Sequence, residues 1–405
     1  MKIQIKPLIT LSIFSGIILF TLPVLGQNST IVSGQDPNRR VITTAVPFLN
    51  FAPDSRHSAM GDAGVATSPD AFSAHWNAGK LSFIDTDMGV SLSYSPWLGR
   101  LVNDMSLSYL TFYRKIDDKS AWGFDLRYFN MGDIQLTDGR GNELGEFTPR
   151  DIAFGGTYSR KLSDKLGLGI SARFIHSNLS GNISSAGGAE SRPGVTIGTD
   201  VGLYYRTEVL SGNKTGEFSW GVSINNIGPK ITYNSADDLD FIPTNFRIGT
   251  AYLMNLNEMN SLTFTLDFNK LMVPSPPVLK RDENGVLVTD DNGDFIIERG
   301  RDPNRPLING MFTSFVDAPD GFSEELQEVM ISFGMEYKYN NVFALRTGYF
   351  YENPNKGGRR YFTMGFGIDY NKLGFDFSYL VPQVQNHPLA ETLRLSLTYT
   401  IAGRE

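Results

Sequence analysis

The chain has 405 residues, with 36 Lys+Arg against 43 Asp+Glu for a net charge of −7, and no cysteine. The acidic balance argues against nucleic acid as a partner, and an exported chain without Cys carries no disulfide framework. Glycine is abundant at 41 residues, and the mean hydropathy of −0.18 is ordinary for a soluble protein. A β-barrel reconciles that value with a membrane, because only every second strand residue must be apolar.

Residues 1–26 read as a secretory signal peptide: Lys2 and Lys6 precede an apolar run from Leu8 to Val24, with Gly26 before the cleavage point. Residues 27–43 are polar and are expected to form a flexible arm. Residues 44–86 change texture. Ala, Gly and Ser become dense and alternation is lost through residue 84, which predicts short helices and turns packed as a plug inside a barrel wall.

From residue 87 the pattern is dyadic. Leu262, Phe264, Leu266 and Phe268 alternate with Thr263, Thr265, Asp267 and Asn269, and Leu393, Leu395, Leu397 and Tyr399 alternate with Arg394, Ser396, Thr398 and Thr400. Strands are expected at 88–96, 103–115, 120–131, 149–161, 166–178, 194–206, 217–227, 244–255, 260–270, 327–339, 341–351, 359–370, 373–381 and 391–401. Fourteen is an even number, as in single-chain outer-membrane barrels, and the expected links follow the short-turn, long-loop habit of that class. The fold class is therefore an all-β membrane protein: a 14-stranded antiparallel outer-membrane β-barrel with an N-terminal hatch. By parity, the long loops lie outside the cell.

Aromatic residues near strand ends (Tyr94 and Trp97, Phe112 and Tyr113, Tyr349 to Tyr351, Tyr361 and Phe362) fit girdles at the lipid–water boundary. Arg127, Arg173, Arg247, Glu336, Arg346, Asp369, Asp376 and Arg394 fall on inward positions, which implies a lumen that is wet or braced by ion pairs.

The link at 271–326 is the longest. It opens with Pro274-Ser275-Pro276-Pro277, then offers turns at Asn284-Gly285 and Asn292-Gly293 that predict a protruding hairpin. Phe295, Ile296, Met311, Phe312 and Phe315 need a cover, either the barrel mouth or a partner protein. Asp290–Asp294 lacks the Gly and Glu spacing of a calcium loop. His57, His75, His176 and His387 show no metal spacing. His176 and Ser177, adjacent on a strand, face opposite sides and do not form a lipase pair. No catalytic constellation and no cofactor or metal site is expected.

Ser58-Ala59-Met60-Gly61-Asp62-Ala63-Gly64-Val65-Ala66, followed by Asp70-Ala71 and Asn77, resembles the hatch of the long-chain fatty-acid transporter (FadL-like) family. Gly61, Ala63, Gly64, Asp70 and Asn77 carry the likeness, while Ala78-Gly79 departs from the family's Pro-Ala. Within that group, Phe51–Arg56, Met60–Gly64, Leu92–Leu98 and Leu107–Leu110 resemble the PorV family of the Bacteroidetes type IX secretion system. That resemblance implies a non-enzymatic shuttle in the outer membrane. It would bind secreted cargo through a C-terminal signal domain, close the lateral opening of the large translocon barrel, and hand cargo to a surface attachment complex that includes a peptidase. The alternatives are a FadL-like transporter of long-chain fatty acids or other hydrophobic small molecules and, more remotely, a lipid-modifying barrel enzyme.

Overall fold

The computed structural model describes residues 39–98, 104–137, 139–179, 191–211, 214–234, 239–383 and 392–401. The expected signal peptide and most of the expected arm lie outside them. Fourteen strands close into one barrel, each antiparallel to its neighbours: β1 (Met88–Pro96), β2 (Met105–Lys115), β3 (Ser120–Met131), β4 (Arg150–Lys161), β5 (Leu166–Asn178), β6 (Gly194–Ser211), β7 (Lys214–Ile227), β8 (Asn245–Asn255), β9 (Asn260–Leu271), β10 (Met330–Tyr339), β11 (Phe343–Tyr351), β12 (Arg360–Tyr370), β13 (Leu373–Pro382) and β14 (Leu393–Ile401). The closing pair is β1–β14, with Leu92 opposite Leu397. Closure leaves no strand edge in hydrocarbon, where an unpaired backbone group would cost several kcal/mol, on the order of its desolvation energy.

The dyad pattern works as the sequence implies. Leu393, Leu395, Leu397 and Tyr399 face outward, while Arg394 and Ser396 are buried inward. Links alternate strictly: 116–119, 162–165, 212–213, 256–259, 340–342 and 371–372 are short, and the intervening links are longer. Asn340, Asn341 and Asn371 take left-handed backbone in two of the short turns, a conformation Asn tolerates better than most residues.

Two expectations need correction. β6 and β7 run past their expected ends at 206 and 217, to Ser211 and from Lys214, with Glu208 opposite Glu217 and Leu210 opposite Thr215. Beyond the lipid the apolar signal fades while the hydrogen-bond ladder persists, so periodicity ends the strands too early. The girdle is also thinner than expected. Tyr94, Phe112 and Phe362 are exposed, but Trp97, Tyr113, Phe350 and Tyr361 are buried inside. Neighbouring aromatics on a strand point to opposite faces, so a cluster at a strand end supplies the girdle with only half its rings.

Residues 45–84 are largely buried and form α1 (Ser55–Ser58), α2 (Ser73–Trp76) and two 3-10 turns, Pro47–Asn50 and Ala78–Phe83. Asp54 caps α1 by accepting the His57 N–H at 2.9 Å, and its carboxylate also accepts the Trp76 indole N–H at 2.8 Å. The segment packs against inward faces of the wall: Ser55 on Ser396, Gly61 on Thr363, Ser82 on Ser159.

The register generates a direct test. Leu397 faces outward and Thr398 borders a lumenal cavity. Arg at Leu397 should cost about 2–4 kcal/mol near the membrane midplane, and Arg at Thr398 much less. Unfolding both variants by denaturant in lipid vesicles measures this, and equal costs would place the register one residue off.

Candidate functional site

The inward charges do not line an open channel. Arg56, from the N-terminal segment, makes a two-point contact with Glu336 on β10, 3.1 Å at each nitrogen, and reaches Asp70 at 2.9 Å. Glu336 is also held by Arg346 at 2.6 Å, and Arg346 reaches Asp376 at 2.6 Å. Arg127 donates to the Leu49 carbonyl at 2.6 Å and to His75 at 2.8 Å. Arg173 pairs with Asp200 at 2.7 Å, where β6 and β7 carry the one register shift among the described barrel ladders. Arg394 donates to Ser58. The wall charges expected from sequence are therefore largely braces, several of them ending on the N-terminal segment. Asp369 and Asp376 border a cavity of about 470 Å³ on the short-turn side, together with Arg56, Asp70 and Lys338.

The five residues singled out in the segment all sit where it meets the wall or itself. Gly61 has φ +69°, and a Cβ there would lie 2.6 Å from the Tyr349 carbonyl oxygen, so only Gly fits both the backbone and the space. Gly64 donates its N–H to Asp267 at 2.7 Å. Ala63 is fully buried. Asp70 receives Arg56. Asn77 donates to the Val65 and Leu203 carbonyls at 3.1 and 2.8 Å and accepts from Gly79, whose Cβ, if present, would stand 2.7 Å from the Gly202 carbonyl oxygen. Ala78-Gly79 thus places a small residue where the wall comes closest.

The 272–329 link contains the expected second turn, with Thr289 paired to Phe295 around Asp290–Asp294. It also holds two helices that periodicity did not suggest, α3 (Leu307–Thr313) and α4 (Phe322–Gln327). Its base is tied to the barrel by buried charge. Lys270 pairs with Glu325 and Glu328, Lys356 with Glu324 and Glu328, and Arg40 with Glu324. Arg40 falls in the arm expected to be flexible, and this contact fixes its end. Burial alone would push the Glu324 carboxyl up, but the Arg40 and Lys356 donors bring it down to about 2.

The apolar residues of the link do not cover the mouth. Phe315 hooks over the rim, edge-to-face with Phe246 on β8 at 6.0 Å. A groove of about 260 Å³ follows, bordered by Ile248, Phe268, Phe322 and Leu326. Phe295 and Phe312 are exposed and Ile296 is half-buried, but Met311 is only 3% exposed and is not available to a partner. It lies on the inner side of α3. Val316 and Leu326, both exposed, were missed. The i, i+4 pairs Phe312/Val316 and Phe322/Leu326 were the signal that marked them.

Among the described residues no cluster of His, Asp and Glu has metal-binding geometry. Ser177 is buried and bonded to Tyr233 at 2.9 Å, while His176 points to the other face.

A family model described as type IX secretion system protein PorV matches residues 34–278. The chain belongs to the PorV family. The match takes in the N-terminal segment and β1–β9 and ends inside the 272–329 link. The Ralstonia pickettii toluene transporter TbuX is similar at 12% identity over 87% of this chain and 98% of that one, with a TM-score of 0.46. The Pseudomonas putida toluene transporter TodX is similar at 14% identity over 86% and 96%, TM-score 0.44. A Pseudomonas aeruginosa FadL homologue gives 12% over 89% and 99%, TM-score 0.43. Likeness at this level carries no argument about ligand. No curated protein matches. The PorV-family barrel is thus an outer-membrane protein of a secretion system.

Two outcomes follow from the buried charges. Arg56→Met removes one partner from Glu336 and Asp70 and should loosen residues 55–83 by about 3–5 kcal/mol, the usual cost of breaking a buried pair. Amide exchange in that stretch should rise, with single-channel openings in planar bilayers more frequent than for the native barrel; unchanged protection would count against the brace. The second outcome concerns pH. Glu324 titrates lower in the fold than when unfolded, so its contribution is complete above about pH 4.5 and fades as pH falls toward 2. Limited proteolysis of the 272–329 link should be the same at pH 7 and 5.5 and increase below 4.5, whereas Glu324→Gln should be sensitive already at pH 7.

Proposed function

We propose that this barrel is a non-catalytic shuttle of type IX secretion. It receives cargo through the cargo's C-terminal signal domain, closes the lateral opening of the translocon barrel, and delivers cargo to a surface attachment complex with its peptidase. Its long links face the cell exterior, and residues 44–86 act as a hatch. The observation that carries this reading, beyond family membership, is the tethered but uncovered apolar face of the 272–329 link. Phe312, Val316, Phe322 and Leu326 are 64, 64, 76 and 57% exposed, an arrangement typical of interface anchors, and Phe322 and Leu326 continue onto the outward wall residues Ile248 and Phe268. Buried ion pairs hold that face in place, so a partner meets a surface already ordered.

Transport of hydrophobic small molecules would require an apolar passage through the lumen. The cavity on the short-turn side is bordered instead by Arg56, Asp70, Lys338, Arg346 and Asp376, and the β6–β7 irregularity is filled by the Arg173–Asp200–Asn226 network. Neither supports that alternative.

The test replaces the four exposed residues together: Phe312→Ser, Val316→Ser, Phe322→Ser and Leu326→Ser. None is itself one of the paired charges and all lie outside the barrel strands, so heat-modifiable mobility of the barrel should persist. Co-purification with the translocon barrel from native membranes should fall by roughly tenfold or more. A folded quadruple variant that captures its partners at native levels would remove the link from the contact surface.

A further inference from the structure

The outward face of the wall changes character at the short-turn ends of β2 to β4. Arg114 on β2 lies opposite Met88 on one side and Trp122 on the other, and Trp122 lies opposite Tyr158 on β4. The next row toward the middle of the wall reads Val90, Phe112, Phe124, Gly156 and Ala172. Phe112, Trp122, Phe124 and Tyr158 are exposed, as is Arg114. A groove of about 490 Å³ runs between Phe112, Arg114, Trp122 and Phe124 and ends at Lys115 and Ile116. Beside it Gly156 leaves a step in the wall, where a Cβ would meet nothing nearer than the Phe124 ring at 3.7 Å.

The guanidinium is the unusual member of this surface. At the same end of the wall, Tyr339 pairs with Phe343, Tyr370 with Leu373 and Ile401 with Met88, and none of these carries a charge. Arg160, opposite Ser120 and exposed, adds a second cation one row further out. Among the described residues neither guanidinium has a carboxylate within 4.0 Å. The acids of the neighbouring turn are engaged elsewhere: Asp117 accepts the Lys119 N–H at 2.8 Å, and Asp118 acts on Lys161. A cation on an outward strand face belongs where hydrocarbon gives way to headgroups, and the amphipathic rings of Trp and Tyr settle at the same level.

We propose that this groove holds an anionic glycerophospholipid of the leaflet at the short-turn end. Arg114 takes the phosphate, whose oxygens a planar guanidinium matches two at a time, and Arg160 adds to the field that favours a net negative headgroup. One acyl chain lies between Phe112 and Phe124 and fills the step at Gly156. The occupant follows from continuity. The groove is part of the outward wall, so an amphiphile enters it from the bilayer without crossing water. A bare anion would use Arg114 and waste the rings, and a plain hydrocarbon would use the rings and waste Arg114. The site goes beyond the secretion reading and does not rest on it. The orientation given above makes its leaflet the periplasmic one, which in an outer membrane is built of glycerophospholipid.

The test uses the full chain in phosphatidylcholine vesicles and the quenching of indole fluorescence by brominated lipid. The chain has four tryptophans. Trp76 and Trp97 are buried inside the barrel, so Trp220→Phe leaves Trp122 as the outward indole and Trp122→Phe leaves Trp220. The probes are brominated phosphatidylglycerol and brominated phosphatidylcholine, each titrated against unlabelled phosphatidylcholine. At Trp122 the glycerol lipid should bind about fivefold or more tightly than the choline lipid, and at Trp220 the two should bind alike. Arg114→Gln in the Trp220→Phe background should reduce the ratio at Trp122 to about twofold or less. Both single-indole reporters keep Arg114, so a misfolded Arg114→Gln does not spoil the comparison. A ratio of one at Trp122, equal ratios at both tryptophans, or a preference that Arg114→Gln leaves intact overturns the proposal. The two leaflets of the vesicle have the same composition, so the result does not depend on which end of the barrel faces the cell exterior.

Discussion

A wall of fourteen strands encloses more space than its own inward side chains fill, and the groups that face that space still need partners. The rest of the structure follows from this constraint. Residues 45–84 fill the space, and they do so with small side chains and turns because the backbone must come close to the wall. Gly61 beside Tyr349 and Gly79 beside Gly202 are two points of close approach. The polar side chains of the wall then find backbone and side-chain partners on the segment, as Thr363, Ser159, Asp267 and Ser396 do. The charges need more. Arg56–Glu336–Arg346–Asp376 forms a chain across one side of the lumen, in which each charge is met by an opposite one, so the desolvation that burial imposes is offset.

Much of the wall was legible in the sequence because lipid enforces a period of two. The inward placement of Arg127, Arg173, Arg247, Glu336, Arg346 and Arg394 followed from counting, and so did the outward placement of Leu393 to Tyr399. Where the lipid ends, that signal ends, which is why β6 and β7 run further than alternation suggested. The same period explains the missed half of the girdle: Phe362 faces out and its neighbour Tyr361 faces in. What counting cannot supply is which partner each inward group meets. Arg56 meets Glu336 and Ser55 meets Ser396, pairs that come together only once the barrel closes. The hatch residues were visible as a motif, yet their contacts were not. In the 272–329 link, composition marked the aromatic residues but not their exposure. Met311 and Phe312 are neighbours on one helix, one buried and the other 64% exposed.

The functional features divide along the same lines. The lumen is braced, so its charges are structural first. The long-link rim carries apolar side chains on a link tied down by Lys270, Glu324, Glu328 and Lys356.

The central claim is that residues 45–84 are seated inside the barrel against specific wall positions. The chain contains no cysteine, so a pair introduced at Ser55 and Ser396, whose hydroxyl oxygens lie 3.0 Å apart, has no competing thiol. The measurement is disulfide formation between Ser55→Cys and Ser396→Cys in intact outer membranes under mild oxidation. It is read as a mobility shift reversed by reductant, with Ser55→Cys and Leu395→Cys as the outward-facing control. The account predicts near-complete cross-linking of the first pair and none of the second. Absence of the Ser55–Ser396 cross-link in a folded barrel, or equal cross-linking of both pairs, would contradict it.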